Sequence, residues 1–178
     1  PATFCIDPGD IEHRITPRTK AIVVVHNLAH PADMDPIMEV ARKHGVKVIE
    51  DLSHAQGGSY RGRRLGTFGD VSVASLMTGK SLVAGEAGML TTDDQEIYDR
   101  ALAWGHHNRF TDKISSEYLR PNAGLALGGI KGRVNQTSAA MGRVQLRHYD
   151  ARCVEIRKAM NYFWDLLEGV PGLRAHRV

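Results

Sequence analysis

Apolar residues along the chain follow two alternating periods. Ala21-Ile22-Val23-Val24-Val25 is an unbroken β-branched run, the pattern of a buried parallel strand. From Pro31-Ala32-Asp33 onward the period changes to that of a helix, with Met34, Ile37, Met38 and Ala41 on one face and Gly45 as its stop. Val46-Lys47-Val48-Ile49 is the next strand. The interval of about twenty residues between the two strands suits a right-handed crossover through a helix.

Segment 57–70 is rich in glycine and arginine and reads as a loop or hairpin. Val71-Ser72-Val73-Ala74-Ser75 alternates as a strand does, and Gly88-Met89-Leu90-Thr91-Thr92 is another short strand. Asp93-Asp94 supplies a cap for a helix from Gln95 to Trp104. Residues 106–132 are irregular, polar and glycine-containing, and read as a long functional loop. Thr137 to Leu167 is helical in two pieces, stopped by Gly169-Val170-Pro171-Gly172. This order predicts an α/β fold, a three-layer α/β/α sandwich with a mostly parallel sheet. Ligands of such sheets gather at the carboxyl ends of the strands, which here places Asp51 and Ser75 at the candidate site.

With 178 residues, 42% of them hydrophobic, the chain is long enough for one real core. The net charge of +3 is scattered rather than clustered, which predicts a solvated surface and no nucleic-acid partner. Cys5 and Cys153 lie far apart and outside any Cys-x-x-Cys pair, which fits a reducing, cytoplasmic setting. The longest apolar run, Ala21 to Val25, is too short to span a bilayer, and no basic-then-apolar leader opens the chain.

Four residue types invite chemistry. Glu50-Asp51 ends an apolar strand, where a carboxylate either caps a turn or faces a ligand cation. His54 follows three positions later, and a lone histidine is ordinarily structural or exposed. Most lysines only solvate a surface, but Lys80 follows a strand and an uncharged stretch and precedes the glycine-bearing Leu82–Gly88 loop. In apolar surroundings a lysine becomes a usable amine nucleophile. Gly79-Lys80-Ser81 also suggests a phosphate-binding P-loop. Ala74 occupies the position of that motif's first glycine, and Gly85 and Gly88 oppose the helix it requires. The histidines and cysteines show no zinc spacing, so no metal site is expected. No serine sits in a nucleophile elbow, which argues against a hydrolase.

Three blocks together resemble the DegT/DnrJ/EryC1/StrS family of sugar aminotransferases. They are Ile15–Ile22 running on to Ala32–Asp35; Val48–Asp51 with His54–Gly57, Tyr60–Arg63 and Gly69-Asp70; and Ser75–Lys80 followed by Gly85–Gly88. Ala139-Ala140, Gln145-Leu146 and Gly172-Leu173 add to the likeness, which covers nearly the whole chain. The resemblance implies the type I fold and pyridoxal 5'-phosphate as cofactor. It implies that Lys80 forms the Schiff base and shuttles protons, that Asp51 pairs with the pyridine nitrogen, that His54 lies beside the ring hydroxyl and that Ser75 binds the phosphate. It further implies a homodimer in which Gly129–Val134 of one subunit completes the other's site. There Lys131 replaces the usual asparagine and reaches a phosphate as a point charge.

The implied reaction transfers an amino group from an amino-acid donor to a keto-sugar, nucleotide-linked, in a ping-pong cycle. Related dehydratases carry histidine in place of the lysine, so Lys80 points to the aminotransferase branch. Family members are about twice this length. The resemblance therefore implies a partial chain: 1–147 as part of the cofactor-binding large domain, and 148–178 as a linking helix and the start of a small domain. The alternative is a non-catalytic module that keeps the fold and has lost the cofactor.

Overall fold

A computed structural model describes residues 3–106, 111–125 and 131–175. Helix α1 (Pro8–Arg14) comes first. Asp7 caps it by accepting the Gly9 N–H at 3.0 Å, and Pro8 holds the first helical position, where an N–H would have no intrahelical partner. At 7 residues this helix is too short to show an apolar period. Strand β1 (Ala21–Val25), helix α2 (Met34–His44) and strand β2 (Lys47–Asp51) form the expected crossover. Helix α2 begins at Met34, later than Pro31-Ala32-Asp33 suggests, and ends on Gly45 in the left-handed region.

Strands β3 (Ser59–Tyr60) and β4 (Arg63–Arg64) make a small antiparallel hairpin within the glycine- and arginine-rich segment. Strands β5 (Val71–Ser75) and β6 (Gly88–Thr91) complete the main sheet, ordered β1-β2-β5-β6. The first three strands are parallel, and β6 is antiparallel to β5. Helix α3 (Gln95–Gly105) is capped by Asp94, which accepts the N–H groups of Glu96 and Ile97. Helices α4 (Gln136–Arg147) and α5 (Tyr149–Leu166) divide the C-terminal helical stretch at His148.

The sheet has two unlike faces. Ile22, Val24 and Val48 point to one side, where they pack with Met34, Ile37 and Ala41 of α2 and with Ile11 of α1. Each such side chain contributes about 1.5–3 kcal/mol of burial. On the other face Val23 is 56% exposed, Val25 40% and Leu90 46%. Strand β1 is therefore buried on alternate positions and not on both faces. The unbroken β-branched run reflects a preference for extended backbone as well as burial.

The described part of the 106–132 segment folds back on α3 and contains two short 3-10 turns. Buried Asp99 of α3 accepts the N–H of Ser116 (2.6 Å), the side-chain amide of Gln95 (2.8 Å), and the N–H and hydroxyl of Ser115 (2.8 and 2.9 Å). Burial alone would raise this carboxyl, and the hydrogen bonds outweigh it and hold it below its ordinary value. Gly129 and Ile130 lie outside the described residues.

Candidate functional site

Asp51 is the last residue of β2 and pairs in register with Val25 and Val73 on its two neighbours. Side chains alternate along a strand, so Asp51, Val73 and Ser75 share the open face while Glu50, Ser72 and Ala74 share the covered one. Asp51 is half-buried. Its Oδ1 accepts the Ser53 N–H at 2.9 Å, closing a turn that leaves the carboxylate at the sheet's carboxyl end. Ser53 Oγ then accepts the Ser75 N–H at 2.9 Å, tying the ends of β2 and β5 together.

Glu50 is separated from this site by the thickness of the sheet. It is fully buried and accepts four hydrogen bonds: from His26 Nε2 (3.2 Å) and from the N–H groups of Gly66, Phe68 and Gly69 (2.7 Å each). The two glycines are required for this approach. A Cβ on Gly66 would lie 2.6 Å from Leu52 Cδ1, and one on Gly69 would lie 2.7 Å from the Val48 carbonyl. Burial would push the Glu50 carboxyl up, but the four donors together hold it below its ordinary value. Of the two adjacent carboxylates, Glu50 organises the core and only Asp51 faces the candidate site.

His54 is exposed in the turn after β2, with Nδ1 3.1 Å from Asn27 Oδ1. Asn27 lies beyond the end of β1, in a loop where Leu28 (φ 51°) and Ala29 (φ 63°) hold left-handed conformations that non-glycine residues seldom adopt. His26 anchors the loop from below. Its Nδ1 accepts the Ala32 N–H at 3.0 Å, so the proton on the neutral ring sits at Nε2, facing Glu50.

Lys80 sits at the tip of the connection from β5 to β6. The connection is laced by bonds from Leu76 N–H to Ala87 O (2.8 Å), Ala84 N–H to Leu76 O (2.7 Å) and Thr78 N–H to Gly85 O (2.9 Å). No P-loop helix follows the lysine. Lys80 is half-buried, and its amine has no hydrogen bond or ion pair among the described residues. Gln56, to which the His54–Gly57 block assigns no role, and Tyr149, outside the blocks, contact the residues that follow it. Lys131 is exposed ahead of α4, where the Gly132 N–H meets Gly105 O at 3.0 Å. It makes no described contact with Asp51, His54, Ser75 or Lys80. No group of three His, Cys, Asp or Glu side chains is placed to hold a metal among the described residues. Two open hollows, about 610 and 410 Å³, lie beside Asp35–Arg42 and beside Thr3–Pro8, and none of these chemical residues lines them.

The strand-end carboxylate and the strand-end hydroxyl share one face, and Lys80 lies on the connection that leaves the same end of the sheet. Residues 1–178 match the DegT/DnrJ/EryC1/StrS aminotransferase family over their whole length. The chain belongs to that family. The spore coat polysaccharide biosynthesis protein SpsC of Bacillus subtilis is 35% identical over 178 residues, a match covering 96% of this chain and 44% of SpsC. DesI, solved in the presence of its TDP-sugar product, gives a TM-score of 0.81 at 29% identity, over 97% of this chain and 41% of DesI. The Escherichia coli GDP-4-keto-6-deoxy-D-mannose-3-dehydratase with bound hydrated PLP gives 0.79 at 26% identity, over 96% and 44%. The chain thus spans under half the length of these relatives. Its donor set fits the cofactor that the family implies. The second carboxylate oxygen of Asp51 and the Lys80 amine have no described partner, and both stand at the same end of the sheet.

Proposed function

We propose that the protein carrying these residues is a pyridoxal-phosphate-dependent aminotransferase. Its substrate would be a keto-sugar, nucleotide-linked, and its donor an amino acid. The observation that carries this reading is the gathering of Asp51, Ser75 and Lys80 at the carboxyl end of one sheet, with Asp51 and Ser75 on one face. DesI, with its TDP-sugar product, supports the substrate class.

When bound, pyridoxal phosphate supplies an aldehyde carbon and a ring that accepts electrons. The chain's own residues do the rest. Asp51 would hold the ring nitrogen by accepting its N–H, and the Ser75 hydroxyl would donate to the phosphate. The Lys80 amine would hold the aldehyde and serve as the group that moves protons at the substrate carbon. His54 would stand by the ring hydroxyl. Lys131 would serve the phosphate of the partner subunit in a homodimer. Residues 1–147 belong to the cofactor-binding domain, and 148–178 begin the link to a smaller one. Free Cys5 and Cys153 suit a cytoplasmic setting.

The test is the Lys80→Ala variant of the intact protein. We expect loss of amino transfer and of borohydride-fixed cofactor, with the fold kept by circular dichroism. Retained transfer would overturn the assignment. A wild-type protein that neither binds the cofactor nor transfers would favour the non-catalytic module.

A further inference from the structure

We propose that Gln56 is a positioning residue for Lys80, its side-chain amide clamping the segment after the lysine to the end of β5 while Tyr149 of α5 locks the clamp. This rests on the reading of Lys80 as the amine that bonds the cofactor.

An amide side chain offers one oxygen with two lone pairs and one NH2 group. Both lone pairs of Gln56 Oε1 are used on the residues that follow Lys80: Ser81 Oγ donates at 2.7 Å and the Leu82 N–H at 2.8 Å. Gln56 Nε2 donates to the Ser75 carbonyl at 2.5 Å. One amide therefore spans the strand end that carries the phosphate-side hydroxyl and the loop that carries the amine. The Tyr149 hydroxyl donates to the Gln56 carbonyl at 2.8 Å and lies 2.8 Å from Ser81 Oγ. With both hydroxyl protons directed at Gln56 oxygens, the Ser81–Tyr149 contact brings the two hydroxyls together without a proton of its own, and Cys153 also bonds Tyr149. The clamp has little slack, because a Cβ at Gly57 would meet the Tyr149 ring at 3.0 Å. On the other side of the lysine, the Lys80 N–H donates to Met77 O at 3.1 Å. The backbone on both sides of Lys80 is held, and its amine has no partner among the described residues.

Glutamine suits this place and glutamate does not. A carboxylate at position 56 would set an acceptor against the Ser75 carbonyl and put a negative charge beside the lysine loop. That charge would favour the protonated, unreactive form of the amine. A displacement of about 1 Å at a reacting group costs up to about 100-fold in rate.

The experiment uses the intact protein and its Gln56→Leu, Gln56→Glu and Tyr149→Phe variants. Each is mixed with pyridoxal phosphate over a range of pH and treated with borohydride. The lysine nitrogen bonds to the aldehyde carbon with loss of water. Hydride then reduces the C=N bond to a stable amine that peptide mass mapping locates. We expect Q56L to label Lys80 about 100-fold more slowly than wild type and Y149F about 10-fold more slowly. We also expect Q56E to shift the pH midpoint of labelling upward, with all variants folded at the assay temperature. Wild-type rate and pH profile in Q56L, Q56E and Y149F would reduce Gln56 to a purely structural role and overturn the proposal alone. Absence of Lys80 labelling in wild type would overturn the functional reading and this proposal with it. Y149F removes a single hydroxyl, so it decides the question if the Gln56 variants do not fold.

Discussion

His26 and Glu50 meet with no solvent access to either, imidazole Nε2 to carboxylate Oε2 at 3.2 Å, on the face of the sheet turned away from the candidate site. Three backbone N–H groups also converge on the carboxylate. Replacing Glu50 by Ala leaves four buried donors without a partner and is expected to cost about 3 kcal/mol or more. Glu50→Gln keeps one acceptor oxygen and should cost about 2 kcal/mol. The pH dependence follows from the direction of the shift. The folded carboxyl lies below its ordinary value of 4.5, so its contribution is whole above that value and is lost as pH falls through the folded one. Urea unfolding between pH 3 and 7 checks this, since E50Q should lose less stability than wild type at the acid end.

Asn27 should dictate which nitrogen of His54 carries its proton. The Asn27 amide nitrogen donates to Phe4 O at 3.5 Å, which turns the amide oxygen toward His54 Nδ1 at 3.1 Å. An oxygen acceptor there requires the proton on Nδ1 and leaves Nε2 as an acceptor, the form the proposed function would use at the cofactor's ring hydroxyl. Nitrogen-15 shifts of labelled histidine report the tautomer directly. A proton on Nε2 in the wild type, or an unchanged tautomer in Asn27→Leu, would contradict this.

Neighbouring carboxylates should respond in opposite ways. On the proposed function, Asp51→Asn would remove the charge that holds the cofactor's ring proton. It should lower amino transfer by about 100-fold, equivalent to about 2.7 kcal/mol at the transition state. Stability should stay within about 0.5 kcal/mol, because Asn can still accept the Ser53 N–H. Glu50→Gln should do the reverse, with a lower midpoint of unfolding and near-normal turnover where the protein is folded. Single-turnover rates beside denaturant curves separate the two. Equal effects on both measurements would mean that the strand alternation does not sort their roles.

What was legible in the sequence follows from range. Asp51 and Ser75 could be placed because a strand end shows in its own apolar run, and Gly45 because a helix stop is local. Helix α1 was not legible, because its 7 residues carry no apolar period. The roles of Gln56, Asn27 and Tyr149 were not legible. Their contacts reach 25, 27 and 93 positions along the chain, and neither residue type nor spacing announces them. The division of labour between Glu50 and Asp51 needed the sheet itself. It depends on which face α2 covers, and a run as uniformly apolar as Ala21–Val25 conceals that.

The open face of the sheet should govern how this chain behaves by itself. Val23 and Val25 are exposed on β1, which is also an edge of the described sheet, and Leu90 adds to the same apolar surface. An unpaired edge beside an apolar face invites pairing with another copy. The 178-residue chain alone is expected to self-associate as its concentration is raised, by face burial, edge pairing or both. Val23→Lys should reduce this, because an ammonium on the open face resists burial and a charged edge resists pairing. Its core cost should be small, since Val23 points away from the packed side against Ile11, Met34 and Ile37. Sedimentation velocity over a concentration series tests both statements. A clean monomer for the wild-type chain would show that the exposed valines are no liability. Unchanged association in V23K would move the sticky surface elsewhere, with the exposed Met160, Phe163 and Leu166 of α5 the next to replace.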